Sequence, residues 1–222
     1  TFDVIVKGIS KGDLTNLLYK RWVERNRQMV DSLSGGRLAY VHVRAMNGES
    51  FHDVYADLLG EKNRKCEAAI VDERHNGGGW LHDDLCTLLN GKNYQKFVPR
   101  GKFIGNDPFN KWIKPSCVLI CEDDYSNGQG FPLVYKTLGI GKLIGAPIAG
   151  TMTAVWWETL LDRSLVYGIP QVGCMSLDGV YSENTQLDPD ITVYNSPEDY
   201  LSGNDRQLKA AVEEMLKVID KK

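Results

Sequence analysis

A serine stands in the segment Glu122-Asp123-Asp124-Tyr125-Ser126-Asn127-Gly128, directly after the apolar run at residues 117–121. A hydroxyl presented where a strand turns into a helix is set to act as a nucleophile, because the helix N-terminus favours negative charge developing beside it. The amide of Asn127, the next residue, is then in position to donate to an oxyanion, as the residue after the nucleophile does in other hydrolases. Ser-Asn-Gly is also ordinary turn and N-cap chemistry, so this segment alone decides nothing. A second segment, Val71-Asp72-Glu73-Arg74-His75-Asn76-Gly77-Gly78-Gly79, puts three glycines between an apolar run and an amphipathic stretch. Glycines there let the backbone come close to a ligand, with N–H groups free to donate. Fixed amide donors are what a tetrahedral oxyanion needs, each contributing roughly 3 kcal/mol in the transition state. No Gly-Lys-Ser/Thr follows, which separates the run from a phosphate loop; a flexible turn is the plain alternative. A third segment, Glu183-Asn184-Thr185-Gln186-Leu187-Asp188-Pro189-Asp190, offers a carboxylate in a stretch that by itself reads as surface.

Each of the three segments is placed at the carboxyl end of a predicted strand, the edge where open parallel sheets bind ligands. Residues 1–9 alternate apolar and polar, as a half-buried strand does. Leu14, Leu18, Trp22, Met29 and Leu33 recur at helical spacing, predicting a helix over 13–33 that stops at Gly35-Gly36. Residues 38–43 are β-rich, and Phe51, Val54, Tyr55, Leu58 and Leu59 mark a helix ending at Gly60. Residues 68–71 are wholly apolar, the signature of a strand covered on both faces. Leu81, Leu85, Leu88 and Leu89 mark another helix before Gly91. The run at 117–121 is a second buried strand, 131–138 a helix, and 143–144 open a further strand. This alternation predicts an α/β fold of parallel βα units joined by right-handed crossovers. After Thr151, Gly and Pro punctuate short strands, which read as hairpins or a rim. A last helix is predicted over 205–219, with Asn204 at its cap and Gln207 three residues on.

Composition narrows the classes. With 222 residues, 25% of them charged and 42% hydrophobic, the chain has the balance of an ordinary globular domain. A net charge of −3 argues against a nucleic-acid partner, and no apolar run reaches the length of a membrane span. Cys66, Cys86, Cys117, Cys121 and Cys174 are odd in number and form no CxxC, which fits free thiols in a reducing, cytoplasmic compartment. His42, His52, His75 and His82 show no metal-ligand spacing, and Glu122-Asp123-Asp124 reads as a solvated turn, so neither metal nor organic cofactor is expected.

Taken together, Asp-x-Arg-x-Asn-Gly-Gly-Gly, a Ser-x-Gly turn followed by Phe-Pro, and Glu-Asn-x-x-x-x-Pro-Asp, in that order, resemble the tricorn-type branch of the C-terminal-processing serine peptidases, family S41. The resemblance takes in Gly35-Gly36-Arg37-Leu38-Ala39-Tyr40-Val41-His42-Val43 and Leu143-Ile144-Gly145-Ala146 with Gly150, and spans roughly residue 19 to the C-terminus. It implies a ClpP/crotonase-like α/β core at 37–222, with residues 13–36 as a connecting helix and 1–12 as the last strand of a PDZ-like domain. It also implies Ser126 as the nucleophile, Gly77, Gly78, Gly79 and Asn127 as the oxyanion hole, and Glu183 as the orienting carboxylate. The family's general base is a histidine from an upstream domain, expected here before residue 1, so the fragment alone should be inactive. His75 is the internal alternative, at a motif position that varies across the family and holds non-basic residues there. Peptide or unfolded-protein substrates and a homo-oligomer, trimer or hexamer, are further implications. Tyr125 and Trp156-Trp157 are candidates to line a substrate cleft, with core packing expected for at least one tryptophan. Two positions depart from the pattern: Gln186 where the family usually has glycine, and Asn127 where aspartate is common. They leave room for a second reading, a catalytically decayed crotonase-like module for peptide binding or assembly. An acyl-CoA enzyme of the crotonase superfamily is a third, disfavoured by the Ser-x-Gly and Glu-Asn segments.

Overall fold

The computed structural model describes residues 2–4 and 6–221. Its elements, in chain order, are α1 (Lys11–Ser34), β1 (Leu38–His42), α2 (Gly48–Leu59), α3 (Glu61–Lys65), β2 (Ala68–Asp72), α4 (His82–Leu89), β3 (Gln95–Phe97), β4 (Gly105–Asp107) and β5 (Ser116–Ile120). They continue with α5 (Asn127–Thr137), β6 (Lys142–Gly145), β7 (Ala154–Thr159), β8 (Val166–Val172), β9 (Ile191–Thr192), α6 (Pro197–Ser202) and α7 (Arg206–Asp220). The apolar runs pair in parallel, as their two-sided hydrophobicity requires. The main sheet has the order β1-β2-β5-β6-β9, every pair parallel.

Strand geometry sends alternate side chains to opposite faces. Val41, Val71, Val118 and Leu143 lie in register across the sheet and pack beneath α2, α4 and α5. Tyr40, Ile70 and Cys117 form the next row and face α1 and α7. There Val30 of α1 meets Leu208, Ala211, Val212, Met215 and Ile219, the buried stripe of α7. The result is a three-layer α/β/α sandwich in which each fully buried Val, Leu or Ile contributes about 1.5–3 kcal/mol. Among the described residues, no helix is long and apolar enough to cross a membrane.

Four local expectations change. Residues 2–4 and 6–9 form no strand, and Phe2 and Val6 are exposed; Thr1 and Ile5 lie outside the described residues. A strand needs a neighbouring ladder, and these residues lie beside none. Helix α5 begins at Asn127, not at 131, because its first turn is polar although buried, so apolar spacing starts only with Phe131. The cap of α7 is Asp205, whose carboxylate accepts from the amide of Leu208 at 3.0 Å. Asn204 instead donates its side-chain amide to Asp199 at 2.7 Å. The hairpin expected after Thr151 is present as antiparallel β7 and β8. Neither Trp156 nor Trp157 on it packs in the core, being 58% and 69% exposed.

Candidate active site

Ser126 closes the β5–α5 turn with φ 55° and ψ −119°, a backbone conformation that residues carrying a Cβ rarely adopt. Such strain persists only where neighbours over-determine it, and here Asn76 does much of that. Its carbonyl accepts from the Tyr125 amide at 2.9 Å, and its own amide donates to Asp124 Oδ1 at 3.1 Å. Its side chain donates to the Val43 carbonyl at 2.8 Å and accepts from the Gly78 amide at 2.9 Å. One residue thus locks the glycine loop onto the serine turn. Asp124, expected in a solvated turn, is buried instead, and its Oδ2 accepts from the Cys121 amide at 2.8 Å. Burial pushes its carboxyl up to about 8 despite these donors.

Contact between the two loops is close enough to dictate a residue type. Gly78 has φ +89°, and a Cβ built there would stand 2.7 Å from Ser126 Cβ and 2.7 Å from the Tyr125 carbonyl. Only glycine fits. The Gly78 amide is already spent on Asn76 Oδ1. The amides of Gly77, Gly79 and Asn127 donate to no protein group among the described residues. These three residues line a cavity of about 570 Å3 together with Ser126, Tyr125, Trp80, Met152 and Trp157. Strong donors without acceptors beside a serine hydroxyl are suited to receiving negative charge.

Glu183 does not line that cavity; it stands behind one wall. Its Oε2 accepts from the Thr153 amide at 2.7 Å, between the lining residues Met152 and Ala154. Hydrogen bonding from Thr153 holds its carboxyl below the usual glutamate range.

No histidine of the chain forms a hydrogen bond with Ser126 among the described residues. His42 is fixed at the end of β1, with Nδ1 2.8 Å from the Tyr19 hydroxyl and Nε2 3.1 Å from the Arg74 carbonyl. Burial lowers its pKa. His52 is exposed on α2. His75 turns to Asp123, 2.9 Å from Nδ1. His82 is partly buried against the Asn127 side chain, which donates to its Nδ1 at 2.8 Å. Asn127 Oδ1 also accepts the Leu81 and His82 amides and so caps the start of α4. Sequence spacing carried no sign of this pairing.

The Asp-x-Arg portion of the glycine motif serves the scaffold. Arg74, 1% exposed, meets Asp72 with Nε to Oδ1 at 2.9 Å and Nη2 to Oδ2 at 2.7 Å. It continues to Asp205 at 3.0 Å and Gln207 at 3.1 Å, tying the carboxyl end of β2 to the start of α7. Burial works against the Asp72 carboxylate, but the guanidinium outweighs it and keeps its pKa below the ordinary value. Tyr40 adds a hydroxyl donor to Asp72 at 2.8 Å.

The profile of peptidase family S41 matches residues 37–193, which include both loops and Glu183. This chain belongs to that family. It is 33% identical over 231 residues to a Sulfurisphaera tokodaii protein provisionally named a tricorn-like protease C-terminal subunit, covering 99% of this chain and 26% of that one. It is 30% identical over 199 residues to the tricorn protease of Thermoplasma acidophilum, covering 89% of this chain and 18% of that one. The crystal structure of the tricorn protease superimposes with a TM-score of 0.83 at 30% identity, over 91% of this chain and 20% of that chain. Mature CPAF shares the fold at a TM-score of 0.63, with 16% identity over 83% of this chain and 52% of that chain. The S41 chain therefore spans about a fifth to a quarter of the length of the tricorn relatives it matches.

Proposed function

We propose that this chain is the catalytic portion of a tricorn-like serine peptidase that cleaves peptides by acyl transfer. Ser126 Oγ attacks the scissile carbonyl carbon, and the amides of Asn127 and Gly79, with Gly77 beside them, receive the oxyanion. Gly78 supplies close packing rather than a donor. A histidine from outside these 222 residues takes the serine proton and returns it to the leaving amine. Water then cleaves the acyl ester by the same route in reverse. Glu183 orients that charge network from behind the Met152–Ala154 wall. No metal or organic cofactor enters these steps.

The observation that carries the reading is Ser126 itself: a strained residue at the start of α5, held in a cavity beside the Gly77, Gly79 and Asn127 amides, which have no protein acceptor among the described residues. The engagement of His42, His75 and His82 elsewhere supports a base from outside the chain. Trp80, Tyr125 and Trp157 give the cavity aromatic walls suited to extended peptide. Residues 1–12, the last two of which open α1 in this structure, are read as the closing segment of a PDZ-like domain. The 37–222 core is read as ClpP/crotonase-like, the assembly as a trimer or hexamer, and the compartment as cytoplasmic, in keeping with five free cysteines. In the complete enzyme, Ser126→Ala should lower peptide hydrolysis by at least about 1,000-fold with the melting temperature unchanged. Turnover retained by that variant overturns the assignment.

A further inference from the structure

Behind the serine turn lies a group of side chains that the proposed peptidase chemistry does not use. We propose that His75, Cys121 and Asp123 form a binding site for a thiophilic divalent cation of the zinc class. The three residues come from two loops and share no sequence spacing, yet their ligand atoms all lie within 4.8 Å of one another. His75 Nδ1 is 2.9 Å from Asp123 Oδ2 and 3.8 Å from Cys121 Sγ, and Cys121 Sγ is 2.7 Å from Asp123 Oδ1. A tetrahedral zinc ion, with bonds of about 2.0–2.3 Å, sets its ligand atoms about 3.4–3.6 Å apart. The thiol-to-imidazole side of the triangle, at 3.8 Å, is within about 0.3 Å of that length. The other two sides share Asp123, which is 61% exposed and free to rotate outward by the remaining ångström.

The donor set decides the cation. A thiolate with an imidazole favours zinc-like ions over magnesium or calcium, which take oxygen ligands. Thiolate and carboxylate together balance a dication. Cys121 Sγ also accepts the His75 backbone N–H at 3.1 Å, while burial and the neighbouring Asp124 carboxylate push its thiol pKa up, so the bound cation itself must displace the thiol proton. Cys121 is buried whereas His75 is 44% exposed, so an ion enters from solvent and keeps water as its fourth ligand. In the metal-free cluster the thiol proton points to Asp123 and the imidazole proton bridges to the same carboxylate. On binding, the S–H bond breaks, its proton passes to solvent, and a metal–sulfur bond forms. The imidazole proton moves from Nδ1 to Nε2, so Nδ1 donates its lone pair. One proton is released per ion, and affinity rises about tenfold per pH unit below the thiol pKa. Asp123 precedes Ser126 by three residues and His75 precedes Gly77 by two, so an occupied site clamps the two loops together. The inference does not depend on the peptidase reading.

The test is titration of the 222-residue chain with Zn2+ by calorimetry and with Co2+ by absorption spectroscopy. The expected result is one ion per chain, a thiolate-to-cobalt charge-transfer band, and affinity weakened at least about tenfold by His75→Ala and by Cys121→Ala. Asp123→Ala, at an exposed position, provides a variant whose fold is not at stake and should weaken binding likewise. Absence of saturable binding up to about 100 μM free zinc overturns the proposal. So does binding that survives unchanged in His75→Ala and Asp123→Ala, which would locate the ion elsewhere.

Discussion

Replacing Gly78 by alanine should unfold this domain far more readily than the same change one residue earlier. At Gly78 the backbone φ is +89°, and the new Cβ would meet Ser126 Cβ and the Tyr125 carbonyl at 2.7 Å and the Asn127 amide nitrogen at 3.0 Å. An L-residue held at positive φ costs about 1–2 kcal/mol. Overpacking against atoms that cannot move aside adds about 1–3 kcal/mol. The sum is a loss of about 2–5 kcal/mol. At Gly77, by contrast, an added Cβ meets nothing within 4 Å and φ is not positive. Gly77→Ala should therefore change stability by no more than about 0.5 kcal/mol. Urea denaturation followed by tryptophan fluorescence measures both, with an unchanged m-value confirming that the native fold is compared. The reasoning fails if Gly78→Ala matches the wild type within about 0.5 kcal/mol, or if Gly77→Ala proves equally damaging. Either result would mean that the glycine loop does not rest on the serine turn.

Arg74→Ala strands the Asp72 carboxylate in the interior and should cost about 3–5 kcal/mol, with Asp72→Asn/Arg74→Met recovering much of it; urea melts in which the double variant is no better than the single one contradict this. Glu73 is fully buried, neither carboxylate oxygen has a partner among the described residues, and burial holds its pKa well above the ordinary value. Glu73→Met should therefore stabilise the domain by about 1–3 kcal/mol in the same assay, and a net loss would reveal a partner for that carboxyl. Burial raises the Asp124 carboxyl to about 8, so between its unfolded value of about 3.9 and that pH the native state holds a proton the unfolded chain has lost. Stability should fall as pH rises through this window, by about 1.4 kcal/mol per unit, and Asp124→Asn should flatten that slope. Parallel melts at several pH values that show the same slope in both proteins rule the effect out.

Much of the scaffold was readable because parallel strands covered on both faces must be apolar throughout. Residues 68–71 and 117–121 announced themselves that way, and α1 through its spacing and Gly35-Gly36. Strand β9 has two residues and gave no periodic signal, and α5 opens on a buried polar turn, so only its later part from Phe131 did. In the site, residue types around Ser126 and the glycine run were legible because strand-to-helix turns and free amides leave local traces. Asn76 bonding to Asp124, His82 to Asn127, and the His75–Cys121–Asp123 cluster join residues more than forty positions apart. Tertiary packing alone brings them together. Burial of Asp124 was hidden for the same reason: three acidic residues in a row look solvated until the loop that covers them is known.

The central claim is that Ser126 is the nucleophile and that its base lies outside these residues. Fluorophosphonate labelling with peptide mapping, run on the complete enzyme and on the 222-residue chain, tests it most directly. The account predicts an adduct on Ser126 in the complete enzyme and none in the shorter chain. An adduct on a different serine, or no adduct in a complete enzyme that hydrolyses peptides, would contradict it.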